Sequence, residues 1–323
     1  MLAKRRAIQR DGVPVERTPL LVPSFSSKGF PDVAKIIKTT EEVIEGATLV
    51  SAYDMHYERI NPPFDFASLI FLDSGGYEAS KDTDLSELGD YEHKTDTWTL
   101  NMHETVLDKW SSTAPTVFIS YDHPAERLPI AKQIERVTRM APTRTDVLRE
   151  ILLKPETQTQ TLLKIDSVLP HTTALTTFDI VGVTEKEIGN SILTRMENIA
   201  RLRKALDNER PDVPIHVFGS LDTITTPMYF LAGADIFDGL TWLRFAFHDG
   251  YTMYKHNYGA VELGVKTGSH IIDGRCWFHN YGYLVELQLE MRRFLNSGDF
   301  KSFKHHAELF ERAYGSMRET VGD

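Results

Sequence analysis

Three apolar runs in this chain carry an aspartate at or near their ends. Leu69-Ile70-Phe71-Leu72 stops at Asp73-Ser74-Gly75-Gly76-Tyr77, "TVFISYD" (116–122) closes on Asp122, and "ADIFDGL" (234–240) carries Asp238. Two carboxylates flanking a sugar's anomeric carbon can break a glycosidic bond: one attacks or stabilises the oxocarbenium ion, the other moves a proton to or from the leaving group. A third can accept hydrogen bonds from the adjacent N1–H and amino donors of guanine. Gly75 and Gly76 would let backbone approach a flat ligand, and Tyr77 offers a ring for stacking. A single strand-end aspartate is more often a helix cap or a turn former, and acid clusters also bind metals. Three that end strands in the same way weaken the capping explanation. Asp54 and Asp179 could approach the same face, in less distinctive surroundings.

The elements that must position these acids are short Val-, Ile- and Phe-rich runs. They are 19–25, 47–53, 68–74, 116–122, 176–183, 214–220 and 234–240. Several are apolar on both faces, as parallel strands buried under helices should be. Amphipathic stretches lie between them, such as 186–209, where Ile188, Ile192, Met196, Ile199 and Leu202 predict one buried face. This alternation predicts an α/β fold, a (β/α)8 TIM barrel over residues 1–250, with a doubly wound open sheet as the alternative. In a barrel every strand's carboxyl end points to one face, so the three acids would converge there. No internal repeat is present, and "KPETQTQT" (154–161) reads as a loop. Residues 251–323 read as a C-terminal helical subdomain, with a turn at "NSGD" (296–299), that either completes the barrel or is appended to it.

The 323 residues are 41% hydrophobic and 25% charged, a profile of globular proteins, and no apolar run is long enough to span a bilayer. The basic start "MLAKRRAIQR" is followed by no apolar core, which argues against a secretory signal. The one cysteine, Cys276, cannot form an intrachain disulfide and suits a reducing compartment, so a cytoplasmic location is expected. A net charge of −10 argues against a surface that coats nucleic acid indiscriminately. It leaves room for local basic faces, such as Arg136, Arg139, Arg144 and Arg149, or Arg292, Arg293, Lys301 and Lys304. Each cluster alone reads as a solvated helix face.

"FLDSGGYE" resembles the strand-end motif D-S-G-G-[FY]-Q of the tRNA-guanine transglycosylases, and "VFGSLDTITTPMYFLAGADIFDGLTWLR" (217–244) resembles their later block, with D-x-F-D ahead of a segment ending in arginine. The similarity extends from "TPLLVPSF" to the C-terminal helices, and these two blocks are its specific part. The resemblance implies a (β/α)8 barrel that exchanges guanine in a nucleic acid for a 7-deazaguanine through an aspartyl–ribose link. It implies Asp238 as nucleophile and Asp73 as the acid/base, with Ser74 beside it. Tyr77 would stack on the base and Asp122 would read its Watson–Crick edge. Gly219 and Ser220 would form the base-binding loop, and Arg244 would contact a phosphate. The chain departs from the family at Gly182, which stands where relatives have a base-contacting glutamine. Ser220 replaces a glycine, and "GLTWLR" replaces the usual post-nucleophile segment.

The family also has a structural zinc on C-x-C-x2-C and a later histidine. Here "GRCWFH" aligns Cys276 and His279 with two of those ligands, and 25 residues separate His279 from His305. Gly274 cannot ligate, so Asp273 or His306 would have to complete the set. The alternatives are a Cys276–His279–His305 zinc site and a lost site with leftover histidines. No organic cofactor is expected.

The reading that follows is an enzyme exchanging guanine in a polynucleotide for a 7-deazaguanine such as preQ0. DNA is favoured over tRNA because the departures resemble the family's DNA-modifying paralogues. The resemblance also suggests a homodimer. The competing readings are a tRNA enzyme, a non-catalytic nucleic-acid-binding subunit, and a hydrolase of small nucleosides.

Overall fold

The structure is a computed structural model that describes residues 1–10, 12–80, 93–140 and 144–322. Twelve strands run in chain order: β1 (Ala7–Arg10), β2 (Val13–Arg17), β3 (Leu20–Pro23), β4 (Ala47–Ser51), β5 (Leu69–Asp73), β6 (Thr116–Ile119), β7 (Leu148–Leu153), β8 (Ile180–Thr184), β9 (Ile215–Phe218), β10 (Ile236–Gly239), β11 (Ala246–His248) and β12 (Tyr251–Met253). β3 to β10 form one eight-stranded parallel sheet in the order β3-β10-β9-β8-β7-β6-β5-β4. Its two ends meet: Phe25 N–H donates to Leu49 O at 3.0 Å, and Thr48 Oγ1 donates to Pro23 O at 2.9 Å. The sheet is therefore a nearly closed barrel rather than the open doubly wound alternative.

Alternation along each strand builds two cores, because successive side chains point to opposite faces. Leu20, Val22, Leu49, Phe71, Val117, Leu148, Ile180 and Ile236 fill the barrel interior. Their neighbours Leu21, Val50, Ile70, Phe118, Ile151, Val181, Ile215 and Phe237 face outward into the helix layer. The β1–β2 hairpin contributes Ile8 to the interior cluster. Just before it, buried Arg6 pairs with Asp235 at 2.7 Å and with Asp207 at 3.2 Å. This ties the N-terminal segment to the residue preceding β10.

β7 was not anticipated. Its sequence, LREILL, consists largely of good helix formers, and its polar residues hide the alternation that places Leu148, Glu150 and Leu152 on one face. The helix expected over 186–209 begins at Ile192, where Ser191 Oγ accepts Thr194 N–H at 3.1 Å. Met196, Ile199 and Leu202 are buried as expected, but Ile192 stays exposed. Helix Ser269–Ser297 and helix Ala307–Val321 add Leu284, Met291, Phe294, Phe310 and Met317 to the outer core, so the C-terminal helices share the barrel's packing. Among the described residues no helix is long and apolar enough to cross a membrane.

Candidate active site at the carboxyl ends of the barrel strands

The interior alternation carries acids to the barrel mouth. Asp73 lies two residues after the inward Phe71, and Asp238 two after the inward Ile236. The glycines that follow Asp73 have a packing reason. Gly75 holds φ +79°, and a Cβ there would stand 2.6 Å from Tyr53 Cβ. A Cβ on Gly76 would stand 2.7 Å from the carbonyl oxygen of Asp122 and 2.9 Å from its Oδ2. Protein, rather than the flat ligand expected from the sequence, occupies the space these glycines free. The loop is pinned by Trp98 Nε1 donating to Ser74 O at 2.9 Å and by Gly76 N–H donating to Ser74 Oγ at 3.3 Å. Tyr77 is half-buried; its hydroxyl accepts from Arg244 Nη2 at 2.6 Å, and Lys28 Nζ lies 4.8 Å from its ring centre. Arg244 thus reaches the tyrosine of the first motif, and a base stacking on Tyr77 would share the ring with Lys28.

The buried Asp73 has its carboxyl pushed up to about 8, first by burial and then by the charges of Glu78 and Asp238. The N–H groups of Gly75 and Ser74 oppose this only in part. This setting favours the protonated form of Asp73. Glu78, the residue after the D-S-G-G-Y stretch, accepts from the hydroxyls of Ser26 and Ser51, the latter at 2.9 Å. Asp54 is pushed up to about 7 by burial and by Glu78, and it accepts from the Ser27 backbone and hydroxyl.

Asp238 has a different setting. Its Oδ2 accepts from Ser24 Oγ at 2.8 Å, and its Oδ1 accepts from Gly219 N–H at 3.1 Å. His216 Nε2 stands 3.3 Å from Oδ1, close enough for charge pairing although its N–H is not aligned on the oxygen. On the other side of the ring, His216 Nδ1 pairs with Glu150 Oε1 at 2.9 Å. Burial lowers His216's affinity for a proton, but Glu150 and Asp238 together raise it to about 9. Glu150 is itself raised by burial, with His216 opposing. Gly219, at φ +75°, has open space where a Cβ would be. Ser220 is buried and its hydroxyl donates to Val217 O at 2.7 Å, so that side chain holds its own loop.

The third expected acid is not a free acceptor. Asp122 Oδ1 is 3.0 Å from Arg127 Nη1, and Oδ2 is 3.2 Å from Lys154 Nζ. Glu187 joins both cations, at 3.5 Å from Arg127 and 2.6 Å from Lys154. Burial alone would raise Asp122, but Lys154 and Arg127 bring it below the usual carboxylate range. A small cavity beside it is lined by Ser120, Tyr121, Glu126, Gln133, Arg136 and Lys154. Asp179, the other outlying candidate, accepts Arg149 N–H at 2.7 Å at the start of β7, away from the strands' carboxyl ends.

Cys276, His279 and His305 each have their own protein surroundings in this structure. Cys276 packs with Ala246, Tyr258 and Ile272, and burial pushes its thiol up to about 11. His279 Nε2 is 2.8 Å from Phe247 O, and Asp273 pairs with Lys255. His305 packs against Gly250, and His306 Nε2 is 2.9 Å from Gly250 O. Among the described residues no three His, Cys, Asp or Glu side chains group as a metal would require.

Sequence reading missed Glu78, Glu150, Lys154 and His216. Glu78 is the last residue of the quoted stretch "FLDSGGYE". His216 is the one ionisable residue inside the apolar run "PIHVF", a signal that could have marked it. Glu150 also explains Gly182: a Cβ there would stand 2.7 Å from Glu150 Oε1 and 2.6 Å from Phe218 Cε2. No protein-family model matches this chain, and no curated protein matches it.

Proposed function

We propose that this protein is a base-exchanging glycosyltransferase that replaces guanine in a polynucleotide, DNA ahead of tRNA, by a 7-deazaguanine. The observation that carries the reading is the contrast between two neighbouring carboxyls. Asp73 is set to hold a proton, while Asp238 is supplied with two hydrogen-bond donors and the charge of His216. Such a pair divides into acid and nucleophile. In the first half-reaction an Asp238 oxygen forms a bond to C1′ of a nucleotide turned out of its stack, and the C1′–N9 bond breaks. The electron pair leaves on N9, and Asp73 supplies the proton to the departing guanine. In the second, the incoming base loses its N9 proton to Asp73 and attacks C1′, releasing the Asp238 carboxylate. Two displacements at one carbon retain the configuration.

The sequence resemblance supports the same roles for Asp73 and Asp238, and the departures at Gly182 and "GLTWLR" support DNA. Asp122, ion-paired on both oxygens, would meet the base with its remaining lone pairs while Lys154 and Arg127 hold it in place. Zinc has no step in this scheme. Incubation with a labelled 7-deazaguanine and either duplex DNA or tRNA tests the reading. Label entering DNA, and lost with Asp238→Ala, is the expected result. Label entering tRNA alone would reassign the polymer, and release of free guanine from guanosine without polymer labelling would refute base exchange.

A further inference from the structure

Inside the barrel a histidine stands between two acids. His216 is fully buried, level with Gly182 on β8 and Ile236 on β10, with Glu150 2.9 Å from Nδ1 and Asp238 3.3 Å from Nε2. Phe218 stacks on the imidazole at 3.9 Å between ring centres, and Phe71 meets it edge-on at 5.3 Å, so the ring has little freedom to turn. Glu150 Oε2 has no hydrogen-bond partner among the described residues, which makes His216 the anchor of that carboxylate as well. The groups facing the imidazole are thus Glu150 from β7, Asp238 from β10 and the two phenyl rings. Asp238 in turn lies near enough to Asp73 on β5 for its charge to raise that carboxyl's affinity for a proton.

We propose that His216, clamped by Glu150, is a positioning residue for Asp238: held between the two carboxylates, its ring fixes Asp238 in place and sets a positive charge beside the nucleophile. This rests on the base-exchange reading. Two acids side by side do not both ionise readily, and a cation beside one of them decides which does. A neutral residue at 216 would remove that charge, so the ionised nucleophile would lose its neighbouring cation.

The test compares guanine exchange from pH 5 to 9 in the wild type, in Glu150→Gln and in the paired variant E150Q/H216N, which removes the histidine together with Glu150 so that Glu150 is not left buried without its partner. The proposal expects the acidic limb of the profile to move up by about 1–2 pH units in the paired variant, with about ten- to a hundredfold loss at pH 6. It expects most of the rate to return near pH 8. A loss of equal size at every pH, or an unchanged profile, would overturn it. Independently of turnover, 15N NMR of the His216 ring, assigned by comparison with the paired variant, should show both nitrogens protonated at pH 7.5. A neutral ring would overturn the clamp even if exchange proceeds. If the wild type exchanges no base, the functional reading fails, while the ring's charge still decides the clamp.

Discussion

Replacing Asp73 by Asn asks directly whether this carboxyl is held protonated. In the unfolded chain its value is the ordinary 3.8, and in the fold it is pushed up to about 8 by burial, Glu78 and Asp238. Between those values the folded state binds the extra proton. Stability contributed by this group is therefore complete below about pH 4 and is lost as pH rises toward 8. At 1.36 kcal/mol per unit, holding the proton costs about 4 kcal/mol at pH 7 and about 2 kcal/mol at pH 5. Asn mimics the protonated acid without this cost. Asp73→Asn should therefore stabilise the protein, more at pH 7 than at pH 5 and hardly at all at pH 4, while abolishing exchange. Urea unfolding at each pH, with the slope m compared to exclude a change in the unfolded state, reads the difference. A gain independent of pH, or a loss of stability at pH 7, would refute the reasoning.

His216, raised to about 9, makes a contribution that is full below pH 6.5 and lost as pH rises through 9, so the wild type should weaken across that window more than the paired variant E150Q/H216N, which keeps only the Asp73 part of the drop. Gly182→Ala places a methyl against Phe218 and Glu150 and should cost about 1–3 kcal/mol by thermal or urea unfolding. Lys154→Met leaves Asp122 and Glu187 sharing Arg127 alone and should cost about 3–5 kcal/mol, measured the same way. A strong chelator tests the zinc expectation at Cys276, His279 and His305: a large drop in melting temperature would support a bound metal, and an unchanged one would favour the lost site.

The barrel was legible because parallel strands buried on both faces announce themselves as short apolar runs, and seven of the eight did so. β7 did not, since an arginine and a glutamate among leucines suit an exposed helix as well as a strand with one inward acid. Missing it concealed Glu150, and with Glu150 the reason for Gly182 and the partner of His216. Their pairing joins residues 66 positions apart, a distance at which no spacing rule speaks. The Asp73 and Asp238 pair was legible because each ends a strand that must point to one mouth. Asp122 was read as closing a strand, but β6 ends at Ile119 and Asp122 lies in the loop that follows. Its neutralisation was not legible, because Arg127 and Lys154 come from loops that only the fold brings beside it.

The most direct measurement is the mass of the protein after incubation with duplex DNA and a slowly reacting 7-deazaguanine, followed by denaturation and peptide mapping. The proposed chemistry calls for a covalent DNA adduct on Asp238, within peptide 234–240, that disappears when excess base completes the exchange. An adduct on another residue, or base exchange that continues in Asp238→Ala, would contradict it.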